Sequence, residues 1–178
     1  MGEIKVFRSF YQRVMKKIIL IGFMGSGKTS VSLLLSEKLN LPLYSLDQLI
    51  EEKYQKTIPQ IFQEKGEIGF REYEIEMAKS LKDISFGIFD CGGGVVMNKI
   101  ILDYLKEKNG IIVYLKTSFL EIKKRLKNDN QRPLFKDLKK AKKIYCLRRY
   151  LYENYADLIV LTDKKTVEEV SDEIISQI

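Results

Sequence analysis

At 178 residues, 45% of them hydrophobic and 31% charged, the chain is sized for a single domain and is too apolar to be disordered. No run approaches the ~20 apolar residues of a membrane span, so no membrane association is expected. The net charge of +7 suits anionic ligands, and the absence of histidine leaves proton chemistry to Asp, Glu, Lys or Tyr.

Residues 1–16 carry neither a secretory h-region nor a transit pattern. They are set apart as an extension without an assigned role, and residues 17–178 form one domain. Lys17 to Ile21 is a short apolar run that reads as a buried strand, and Lys28 to Leu39 reads as a helix. Between them lies Gly22-Phe23-Met24-Gly25-Ser26-Gly27-Lys28-Thr29, which fits GxxxxGK[ST] in full. Such a loop cradles phosphates with backbone N–H groups, and the next helix points its positive end at the same anion. Gly22, Gly25, Ser26, Gly27, Lys28, Thr29 and Ser30 are the candidate nucleotide-binding residues. Lys28 is placed on the β- and γ-phosphates and Thr29 on Mg²⁺.

Leu43 to Ser45 is predicted as a second strand, followed by helical segments over 47–82 broken near Thr57-Ile58-Pro59 and at Gly66. Phe86 to Asp90 and Gly110 to Leu115 are strands three and four. A polar stretch, 128–137, precedes a lysine-rich helix. The run Lys136 to Lys143 has helix spacing without stacking aromatics, so it reads as a solvated surface and not as a nucleic-acid site. Leu158 to Leu161 is strand five, and a helix from Thr166 closes the chain. Strands alternating with helices predict an α/β, doubly wound, five-stranded parallel sheet, with ligands at the carboxyl ends of the strands. Cys91 and Cys146 show no metal or redox spacing and suit a reducing, cytoplasmic setting. No NKxD-type guanine motif is visible, which disfavours a GTPase.

Five features in order accompany the phosphate loop: Asp47, Phe70-Arg71-Glu72-Tyr73-Glu74, Gly92-Gly93-Gly94, Arg132-Pro133-Leu134, and Arg148 ahead of Leu151-Tyr152. Each is weak alone. Together, from about Lys17 to the C-terminus, they resemble shikimate kinase, a P-loop small-molecule kinase family of nucleoside-monophosphate-kinase-like fold. The resemblance implies transfer of the ATP γ-phosphate to the 3-hydroxyl of shikimate, in chorismate and aromatic amino-acid biosynthesis, by a cytoplasmic monomer. It implies that Arg71 and Arg148 bind the substrate carboxylate and that Gly93 and Gly94 approach the substrate. Asp47 would hold the ring hydroxyls and act as the base. Forked guanidinium hydrogen bonds suit the carboxylate role. Glu74, one turn after Arg71, would hold that arginine, and Phe62 and Phe70 would wall the ring. Lys28, Asp47 and Arg132 form the catalytic set. The substrate segment is 46–82 and the lid 128–137, with Arg132 meeting the transferring phosphoryl group and Arg125 packing on adenine.

The sequence departs from this family at two places. The usual Asp-x-Asp after strand two is Ser45-Leu46-Asp47, and the usual serine two residues before the glycine triplet is Asp90. A swap is expected, in which Asp90 joins Thr29 at the metal in place of a carboxylate at position 45. The competing readings are a weakened, non-catalytic nucleotide-binding relative and a kinase of another hydroxylated acid such as gluconate. Cys91, beside the glycine loop, reads as packing, with sensitivity to alkylation as the alternative.

Overall fold

The computed structural model describes residues 16–127 and 137–178. The expectations for the extension before Lys16, for Arg132 and for the body of the lid lie outside those residues.

Five strands form one parallel sheet in the order β2-β3-β1-β4-β5: β1 Lys17–Ile21, β2 Leu43–Ser45, β3 Gly87–Asp90, β4 Ile111–Lys116 and β5 Leu158–Leu161. Alternation along β1 divides the core between two faces, as a strand covered on both sides requires. Ile19 and Ile21 join Leu46, Ile50, Phe70, Phe89, Tyr114 and Tyr152 on one side of the sheet. Ile18 and Leu20 join Val31, Leu35, Val113, Val160 and Ile174 on the other.

The second face is covered by α1 (Lys28–Leu39) and by α7 (Val167–Gln177), whose N-cap Thr166 forms a capping box with Glu169. The first face is covered by α2 (Leu46–Tyr54), α3 (Ile58–Leu81), α4 (Lys99–Lys106), α5 (Phe119–Arg125) and α6 (Leu138–Tyr155). Thr57 caps α3, with Gln60 closing the box and Pro59 in the first turn. Gly66 interrupts α3 with φ 67° and ψ −172°, where the sequence predicted a break.

The buried lysine in β1 is a finding of the structure. Lys17 is fully buried, and its ammonium donates to the carbonyls of Leu81 and Lys82, both at 3.2 Å. It thereby serves the otherwise unsatisfied carbonyl end of α3. Burial lowers its pKa, with Glu107 and Asp83 pulling the other way.

Candidate active site

The phosphate loop connects β1 at the centre of the sheet to α1. Gly27, the N-cap of α1, has φ 92°, a conformation that side-chain-bearing residues rarely adopt. The Lys28 ammonium folds back over the loop and donates to the carbonyls of Gly22 (2.9 Å) and Phe23 (3.3 Å). Ser26 is buried with its hydroxyl unpartnered among the described residues, whereas Ser30 is exposed on the first turn of α1.

Thr29 donates its hydroxyl to Asp90 Oδ2 at 2.8 Å. Asp90 is 8% exposed and ends β3, the strand beside β1. Ser45 is its register partner at the end of β2. The two positions expected to have exchanged roles therefore stand side by side, about one strand spacing apart. Thr29, Asp90 and nearby Asp47 offer oxygen donors only, the chemistry of a hard divalent cation. No cluster of three His, Cys, Asp or Glu suited to a metal occurs among the described residues.

Asp47 sits in the first turn of α2, and its Oδ1 is buried without a hydrogen-bond partner among the described residues. Burial raises its pKa. Lys28 and Arg71 lower it from one side and the other, while Asp90 and Glu51 add to the rise. Gly92 leaves Asp47 its room: a Cβ there would lie 3.0 Å from Oδ1.

Arg71 projects from α3 and pairs with Glu74 and, at 3.1 Å, with Glu67. Glu74 is fully buried. Burial raises its pKa against the pull of Arg71, and its Oε1 has no partner among the described residues. Removing the arginine would strand a buried carboxylate, a change that typically costs about 3–5 kcal/mol. The expected role of Glu74 in holding Arg71 thus has a geometric basis. The Arg71 guanidinium occupies the space a side chain on Gly94 would need. Arg148, from α6, donates to the Gly93 carbonyl at 3.1 Å, and its Nε is buried and unpartnered among the described residues. Burial lowers its pKa.

One cleft of about 790 Å³ runs from Gly25, Gly27, Lys28 and Thr29 at one end through Asp47 and Asp90 to Arg71, Gly93, Gly94 and Arg148, while Gly22 and Ser26 are not among its lining residues. Phe62 and Phe70 lie in its wall with ring centroids 4.7 Å apart; Phe70 is buried and Phe62 is 38% exposed. Lys140, which sequence reasoning did not single out, also borders it.

Arg125, which the resemblance places on adenine, is held in place by hydrogen bonds. Its guanidinium donates to the Ser26 carbonyl (3.3 Å) and the Thr162 carbonyl (2.8 Å), and its Nε to Glu121 (3.2 Å). It braces the phosphate loop against the end of β5. Cys91 is 1% exposed, and burial pushes its thiol well up. It is a packing residue, and the free exposed thiol among the described residues is Cys146.

The family profile described as Shikimate kinase matches residues 24–178. A shikimate kinase from Sulfurihydrogenibium sp. is 39% identical over 165 residues, covering 92% of this chain and 98% of that protein. One from Bacillus cereus is 41% identical over 162 residues, covering 90% and 96%. Among solved structures, the shikimate kinase from Acinetobacter baumannii in complex with shikimate has a TM-score of 0.86 at 30% identity, covering 96% of this chain and 95% of that one. The Aquifex aeolicus shikimate kinase has a TM-score of 0.79 at 38% identity, covering 89% and 94%.

Proposed function

From the premise that this chain belongs to the shikimate kinase family, we infer that it transfers the γ-phosphate of ATP to the 3-hydroxyl of shikimate. The observation that carries the reading is the pairing of two ends in one cleft. A full phosphate loop stands at one end, and two substantially buried guanidinium groups, Arg71 and Arg148, stand at the other. Asp47 is electrostatically coupled to both ends, through Lys28 and Arg71.

In this reading the loop N–H groups and Lys28 hold the ATP phosphates, and the arginine pair takes the acceptor carboxylate. That fixes a ring hydroxyl beside Asp47, whose raised pKa suits a base that is given up and regained each turnover. The hydroxyl oxygen forms the new bond to γ-phosphorus, and the bond to the bridging oxygen breaks with its electron pair leaving on ADP. The hydroxyl proton passes to Asp47. A loose phosphoryl-transfer transition state asks little of the base and much of the surrounding positive charge, to which Lys28 contributes. Arg132, outside the described residues, is assigned the same task.

Thr29 and Asp90 are the residues we assign to hold Mg²⁺, and Ser45 has no part in it. The cation supplies charge neutralisation at the phosphates when bound. Arg125 borders the adenine side from its brace on Ser26 and Thr162. Every named group comes from a single chain, so the reading needs only a monomer, placed in the cytoplasm where ATP is supplied.

A coupled ADP-release assay with MgATP against a panel of hydroxylated acids tests it. Shikimate is expected to give turnover far above gluconate or water alone. Turnover with gluconate in preference, or ATP binding without shikimate binding, would replace the reading with a different acceptor or a non-catalytic role.

A further inference from the structure

Tyr152 has no role in the site as described so far, yet its hydroxyl is bonded to the glycine triplet that borders the acceptor end. It is fully buried on α6, and its ring stacks on Tyr114 of β4 with centroids 4.9 Å apart. Its hydroxyl donates to the Gly93 carbonyl at 2.5 Å, the same oxygen that accepts from Arg148. A carbonyl has two lone pairs, so both donors are served at once. Burial raises the tyrosine pKa, which keeps the hydroxyl a donor at any working pH.

Holding that oxygen orients a whole peptide unit. Among the described residues all peptide bonds are trans, and in a planar trans peptide the N–H of Gly94 lies on the side opposite the Gly93 carbonyl. With the carbonyl drawn toward α6, the Gly94 N–H is turned away from α6. That N–H has no hydrogen-bond partner among the described residues, and Gly94 borders the cleft against the Arg71 guanidinium. The other side of the loop is equally confined. A Cβ on Gly93 would lie 3.3 Å from the Met24 N and 3.4 Å from the Gly22 carbonyl oxygen, so this peptide rests on the phosphate loop itself.

We propose that Tyr152 is a positioning residue for the acceptor. By clamping the Gly93 carbonyl it sets the orientation of the peptide that carries the Gly94 N–H, already expected against the substrate, and it fixes where Arg148 stands. The inference rests on the acceptor reading above. Its substrate-side partner is an anionic or hydroxyl oxygen of the acceptor, and the nucleotide makes no use of the clamp.

The test is Tyr152→Phe, which keeps the ring stacked on Tyr114 and removes only the hydroxyl. The KM for shikimate and its Kd by calorimetry are expected to rise about three- to tenfold, the worth of one neutral hydrogen bond, with the KM for MgATP unchanged. In ¹⁵N spectra of the unmodified protein the Gly94 amide is expected to shift downfield on adding shikimate, a readout that needs no variant to fold. Unchanged shikimate constants, a parallel loss for MgATP, or a Gly94 amide indifferent to shikimate would overturn the proposal. Absence of shikimate binding to the unmodified protein would instead remove the acceptor reading, and the proposal with it.

Discussion

Ser45 and Asp90 are register partners at the carboxyl ends of adjacent strands, and only Asp90 is bonded to the phosphate-loop threonine. A carboxylate absent from β2 and present on β3 therefore stays at the same corner of the cleft, with the alteration confined to which strand bears it.

The first prediction follows from that pair. Asp90→Ala should weaken Mg²⁺ dependence and turnover by about 10–100-fold, the range typical of losing a group that supports a metal site. Asp90→Ala combined with Ser45→Asp should recover much of it. Mg²⁺ titrations of activity, with Mn²⁺ binding in the presence of ADP as the direct readout, separate a metal defect from a folding defect. An Asp90→Ala protein with unchanged metal affinity would refute the assignment.

Asp47 should trade stability for function. Its folded-state pKa is raised above the ordinary 3.8, so the native state holds its proton to higher pH than the unfolded chain does. The carboxylate therefore costs stability progressively as pH climbs from about 3.8 through the raised value, and the cost is complete above it. Asp47→Asn is expected to abolish most turnover and to raise the melting temperature at pH 7 by about 2–5 °C. The gain should vanish at the acid end of the profile. A melting difference that is flat with pH would contradict this account.

Lys17 offers a prediction away from the cleft. Lys17→Met keeps the apolar stem and removes the donor serving the Leu81 and Lys82 carbonyls. Stability should fall by about 1–3 kcal/mol, the cost of leaving buried acceptors unpaired, measured by urea unfolding. The kinetic constants of the folded fraction should be unaltered, because the site is at the opposite end of the strands.

Much of the fold is written in local pattern. The apolar run Lys17–Ile21, the glycine at position 66 and the Thr166 cap each announce their element within a few residues, and each stands where it was expected. The phosphate loop is equally local. Glu74 is the intermediate case: its spacing from Arg71 declares a pair, but nothing in the spacing declares that the pair is buried. Lys17 was illegible as a buried ammonium because its partners lie 64 and 65 residues away. Tyr152 figures in the sequence only as part of the feature that follows Arg148, and its hold on Gly93, 59 positions earlier, is not written in that spacing. Arg125 shows the same limit. Its position along α5 was evident, yet its hold on Ser26 and Thr162 depends on how β5 ends beside the loop.

The Lys28 ammonium, resting on the carbonyls of Gly22 and Phe23, carries one more consequence. An incoming phosphate does not meet a bare cation; it must outbid two backbone oxygens already in place. Nucleotide affinity at this loop is then the difference between two bonded arrangements, and the lysine keeps the loop folded in readiness for its own replacement partner.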